Sequence, residues 1–170
     1  MATALAACAT PREPALHVQV PRAADDPDAI TISWIGHATL LVGIHGHWIL
    51  TDPVFSDRLG GVITRGVRAA ITPGELPPLD AIVISHAHFD HLDLPSLRAL
   101  PAVPLLVPHG IPAFLDDDLP QRATTTALDT WQSWQRGDLK ITAVPASHGE
   151  GRYLVDRWHT RTHTGWIIEA

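Results

Sequence analysis

Apolar and polar positions begin to alternate at Ala29. In "AITISWIG" Ile32 and Trp34 fall on one face of an extended segment, in "ATLLVGI" Leu40, Val42 and Ile44 do the same, and "HWILTD" is a third short run. β-Branched and aromatic residues with period two suit strands, and "HGH" at 45–47 predicts a hairpin between the second and third. Residues 53–79 carry Pro, Gly and Arg without periodicity and read as a long loop with room for a short helix. "DAIVIS" (80–85) is a continuous apolar run between turn signals, the pattern of a strand covered on both faces. "DLPSLRAL" (93–100) predicts a short helix with Asp93 as N-cap and Pro95 in its first turn. "VPLLVP", "ATTTALD", "DLKITAVPAS" (138–147) and "TGWIIEA" read as strands, and "GIPAFLDD" as a short helix. Strands interleaved with short helices predict an α/β layered domain over residues 29–170. Residues 1–28, with prolines and clustered aspartates toward their end, predict a disordered N-terminal tail.

Composition narrows the chemistry. The 170 residues are 45% hydrophobic, enough for a buried core in one domain. A net charge of −6 argues against a nucleic-acid partner, because phosphate backbones are held by clustered Lys and Arg. A single cysteine, Cys8, excludes a disulfide framework and a thiolate metal site, whereas 11 histidines leave imidazole and carboxylate as metal donors. No apolar run reaches the ~20 residues of a membrane-spanning helix. A cytoplasmic location is the default expectation. The alternative is an exported lipoprotein anchored through Cys8, since "LAAC" resembles a lipoprotein cleavage site although no basic residue precedes it.

The densest chemistry follows the run 80–85. In His86-Ala87-His88-Phe89-Asp90-His91, positions 86, 88 and 90 lie two apart, so an extended backbone turns two imidazoles and a carboxylate to one side. His91 breaks that period and joins them only if the chain turns, which is expected where a strand ends. The pattern suits a pair of histidines for one cation, with an Asp and a His for a second nearby. Ionisable groups at the C-terminal end of a buried strand stand where α/β folds place ligand sites. His148 ends another strand and would add a third imidazole. Three histidines on zinc leave a fourth position for water and lower its pKa to about 7.

"SHAHFDHLD" matches the HxHxDH signature of the metallo-β-lactamase superfamily. "WIGHATLLV", "ILTDPVFSDR", "LPPLDAIVISHAHFDHLDLPSL", "LDTWQSW" and "ITAVPASHGEGR" resemble the branch containing N-acylphosphatidylethanolamine-hydrolysing phospholipase D. The ascorbate-6-phosphate lactonase branch is a more distant second. The resemblance spans about residues 29–170. It implies an αβ/βα sandwich and zinc as cofactor, with His86, His88 and His148 on a first zinc. Asp90 and His91 would serve a second, and Asp90 would also orient the attacking hydroxide. Asp52, in "LTDP", matches a family aspartate beside the metals that would fix a ligand histidine's tautomer; alternatively it forms a turn before Pro53. His37, in "GHAT", would line the site or be satisfied by backbone. The implied activity is hydrolysis of a phosphodiester, lipid or small molecule. The alternatives are a lactone or other ester, or an inactive zinc-binding fragment.

The chain also departs from the family pattern. The aspartate bridging both metals and the final histidine of the second metal belong to a later half, and Asp156, His159 and His163 stand in no matching context. The expectation is therefore the first sheet-plus-helices half of the sandwich, truncated at its C-terminus, with an apolar face that a homodimer or a separate C-terminal half would cover. Trp131, Trp134, Trp158 and Trp166 serve either core packing or a lipid-binding groove.

Overall fold

The computed structural model describes residues 12–13, 29–152 and 160–170. Most of the segment read as a tail, including Cys8, lies outside these residues, as do Asp156, Trp158 and His159. Arg12 and Glu13, within that segment, are held against the loop after the third strand: Arg12 N donates to Gly66 O at 3.0 Å, and Arg68 pairs with Glu13 at 2.8 Å. No described helix is long and apolar enough to cross a membrane.

Three strands open the fold, β1 (Thr31–Gly36), β2 (Thr39–Ile44) and β3 (His47–Thr51); β2 and β3 form the expected hairpin, and β1 pairs antiparallel with β2 to complete a meander. The loop 53–79 contains a two-residue hairpin, β4 (Arg58–Leu59) and β5 (Ile63–Thr64), and a 3-10 turn at Pro73–Glu75. Next come β6 (Ala81–Val83), helix α1 (Leu94–Arg98), β7 (Leu105–Pro108) and β8 (Thr125–Leu128). "GIPAFLDD" forms only a 3-10 turn at Ile111–Phe114. The six-stranded sheet runs β1-β2-β3-β6-β7-β8, parallel from β3 onward. Three later strands, β9 (Ser133–Arg136), β10 (Leu139–Val144) and β11 (Gly165–Glu169), form a second, antiparallel sheet in the order β11-β10-β9.

The continuous apolar run has a direct cause. Ile82 and Ile84 enter one core with Ile35, Leu50, Leu105 and Val107, against Leu97 of α1. Ala81 and Val83 point the other way, into a second core with Ile49 and Leu106, where Leu139 and Ile141 of β10 cover them. A strand that feeds two cores has no polar face to show. The second sheet goes beyond the expectation of one sheet with helices, because strands β9–β11 already start the opposing layer.

That layer covers β3, β6 and β7 but not the edge of the first sheet. Ile32 and Trp34 share a face as expected, yet each is 64% exposed, and Ile30 beside them is 63% exposed. Trp134 and Trp166 pack against the second core, whereas Trp131 is exposed.

Asp93 occupies the N-cap position of α1 with no side-chain bond to the helix backbone, although its carbonyl accepts from Leu97 N at 3.1 Å. Its Oδ2 instead accepts from the hydroxyls of Ser56 and Ser96, both at 2.5 Å, and Ser96 Oγ accepts from Phe55 N at 2.7 Å. The expected cap thus works as a clamp between the loop after β3 and the helix.

Gly43 faces Trp48 across the β2–β3 pairing, and a Cβ there would lie 2.6 Å from the buried indole. Gly43→Ala is expected to lower stability by about 2 kcal/mol through overpacking, read as a lower urea midpoint. An unchanged midpoint would show that the indole shifts without cost.

Candidate metal centre

The strand β6 delivers the histidines. Residues 85–87 stay extended, because Ala87 N donates to Thr162 O at 3.0 Å and Thr164 N to Ser85 O at 2.8 Å. The backbone then closes a turn, with His91 N and Leu92 N both bonded to His88 O at 2.9 and 2.8 Å. The guanidinium of Arg152 braces that turn, donating to Ala87 O at 3.1 Å and Leu92 O at 2.8 Å. Period two therefore holds for His86 and His88 and fails for Asp90, which the turn carries away with His91.

Two donor groups result. His86, His88 and His148 offer ligand atoms all within 4.8 Å of one another. Their ring centroids lie 4.3 to 4.9 Å apart, and His148 Nε2 is 3.2 Å from His88 Nδ1. His148 comes from the exposed loop after β10, while His86 is buried. The second group is His37, Asp90 and His91, also within 4.8 Å. His37 Nε2 lies 3.1 Å from Asp90 Oδ2, so that nitrogen has a side-chain partner. The groups adjoin: the His86 and His91 rings are 3.9 Å apart.

Asp52 stands behind both. Its carboxylate, buried at 4% exposure, accepts from Ser85 N at 2.6 Å, from Ser85 Oγ at 2.5 Å and from His91 Nδ1 at 2.9 Å. With its proton committed to Asp52, Ser85 Oγ, 2.9 Å from His86 Nδ1, can only accept from that nitrogen. One carboxylate thus sets two tautomers, and His86 and His91 both keep the Nε2 lone pair for a ligand. Asp52 has a left-handed backbone, φ 37°, held by its N–H on Val83 O at 2.9 Å and by Thr39 Oγ1, which donates to Asp52 O at 2.7 Å.

Burial pushes the His86 imidazole down to about 3; neighbouring His91, His148 and His88 add to this, and Asp90 opposes it. A neutral imidazole is the form that binds metal. The donors, imidazole and carboxylate with no thiolate, fit a divalent first-row cation.

Among residues the sequence did not single out, Ser85, Thr39 and Arg152 have structural roles here. Ser85 directly precedes the histidine motif, which is its only signal; Arg152 carries none. His163 pairs its backbone with His86 and places Nδ1 3.6 Å from Glu150, outside both donor groups.

With strands, turn and donors in place, comparison with known proteins gives the class. The family model described as the Beta-lactamase superfamily domain matches residues 47–170. The chain belongs to the metallo-β-lactamase superfamily. It is 40% identical to an uncharacterised Mycobacterium tuberculosis protein over 85% of this chain and 40% of that one. It is 31% identical to the N-acyl-phosphatidylethanolamine-hydrolyzing phospholipase D 1 of Caenorhabditis elegans, over 80% of this chain and 42% of the relative. Its fold is similar to that of a metallo hydrolase from Ignicoccus hospitalis, with TM-score 0.56 at 23% identity, covering 82% of this chain and 55% of that one. The chain spans about 40% of the length of the curated relatives named here.

Asp52→Asn preserves the shape of the network and removes its charge. It is expected to weaken zinc binding by about 10–100-fold, measured by competition with a chromophoric chelator, with the metal-free circular dichroism spectrum unchanged. Equal affinity in the variant would remove Asp52 from the site.

Proposed function

We propose that these residues form the metal-binding part of a zinc-dependent hydrolase that cleaves phosphodiesters of the N-acyl phospholipid type. The observation that carries this reading is the pair of adjoining donor groups at one strand end, each within 4.8 Å. The sequence similarity to the C. elegans phospholipase supports the substrate class.

In this reading His86, His88 and His148 hold one cation, and Asp90 and His91 contribute to a second. Bound zinc supplies a Lewis acid for a phosphoryl oxygen and acidifies coordinated water. Asp90 Oδ2, 3.1 Å from His37 Nε2 and 3.9 Å from His91 Nε2, orients the attacking water by accepting its proton. Asp52 and Ser85 keep the imidazoles in the ligand tautomer throughout. A lactone or other ester is the alternative substrate, since the same groups serve acyl chemistry.

A second reading is a chain that binds zinc without turning over substrate until another surface completes it. The exposed Ile30, Ile32 and Trp34, together with the outer edge of β11, favour it. A second copy or a separate C-terminal half would cover that face.

Zinc-loaded protein is expected to cleave bis(p-nitrophenyl) phosphate, and both His88→Ala and chelation should reduce the rate to background. Lactone opening with the diester left intact would contradict the phosphodiester reading. Zinc binding with neither activity would favour the incomplete unit.

A further inference from the structure

We infer that His37 is itself a metal ligand, so that His37, Asp90 and His91 make a second three-donor cation site from residues of this chain alone. Among these residues the family resemblance assigns Asp90 and His91 to that position, its other ligands belonging to the later half, and two donors are too few to hold a cation firmly. The geometry adds the third donor from the β1–β2 turn. The ligand atoms of the three residues lie within 4.8 Å of one another, with His37 Nε2 3.1 Å from Asp90 Oδ2 and the His37 and His91 rings 5.0 Å apart. His91 has its Nδ1 fixed on Asp52, which leaves Nε2 as its donor, 3.9 Å from Asp90 Oδ2.

The backbone at His37 points the same way. Its φ is 53°, in the left-handed region that non-glycine residues rarely adopt, and it follows Gly36 at φ 144°. This turn is held in place, with Trp34 Nε1 donating to His37 O at 2.9 Å and Thr39, the next strand's first residue, fully buried. Strain of this kind persists where the surroundings impose it and clusters at functional sites. An exposed His–Asp pair alone gives little stability, and it does not explain why His91 converges on the same point from a different part of the chain. Three protein donors with an open position is the arrangement of a cation that also takes a water or substrate oxygen.

The inference rests on the proposed function only in taking the three-histidine group as a cation site, and zinc titration of the metal-free full chain separates the two. Calorimetry should show two equivalents for the wild type. His37→Asn, which tolerates the left-handed backbone, should keep one equivalent and bind the other at least ~10-fold more weakly, with His37→Gly behaving alike. The melting temperature of each metal-free variant reports folding. If a variant does not fold, cadmium-113 coupling to the ¹⁵N-labelled His37 ring in the wild type decides, and its absence overturns the inference. Two equivalents at unchanged affinity in His37→Asn also overturn it. A single wild-type equivalent, lost in His148→Ala and indifferent to His37→Asn, would defeat this inference and leave the three-histidine reading standing. No binding at all would defeat both.

Discussion

The Asp52 carboxylate is the constraint on which the candidate centre depends. It stands at the end of β3, and its bonds reach Ser85 at the end of β6 and His91 in the turn beyond. A buried carboxylate with three donors is well satisfied, whereas an amide in its place would keep one accepting oxygen and turn an N–H toward the remaining donors. The parallel pairing of β3 with β6, Thr51 opposite Val83, brings the two strand ends level so that this contact forms. Fold and site therefore meet in one residue.

From that point the arrangement spreads outward by ordinary means. β6 is rigid because it feeds cores on both faces, so the backbone entering the motif has one path. The bridge to residues 162–164 keeps His86 and His88 on one side, and the turn closed on His88 O sends Asp90 and His91 to the other. His37 and His148 arrive from the β1–β2 turn and from the loop after β10. A mononuclear or binuclear centre could be assembled this way with few donors on flexible segments, and only His148 of the six donors stands on a long exposed loop.

Much of this was legible in the sequence, for identifiable reasons. Strands β1 and β2 showed as alternation, the β2–β3 hairpin as its turn residues, β6 as an unbroken apolar run, and the donors as a histidine motif that few other chemistries would place at a strand end. The division of the motif, His86 and His88 for one cation and Asp90 with His91 for a second, follows from a turn at the strand end, although its brace, Arg152, lies far along the chain and gives no local signal. Strand β9 escaped notice because Ser133–Arg136 is an edge strand with almost no buried face to pattern. Ile32 and Trp34 were read correctly as one face, but alternation does not say which face is covered. The position of Ser85 before the histidine motif was its only signal, and its role exists only once Asp52 is brought against it.

This network prepares two adjoining candidate cation positions. Diffraction from crystals of zinc-loaded protein, with anomalous data at the zinc edge, tests it most directly. Two anomalous peaks are expected, one bonded to His86, His88 and His148 and the other to His37, Asp90 and His91. Zinc found only on other surface histidines, or no peak between these side chains, would contradict it.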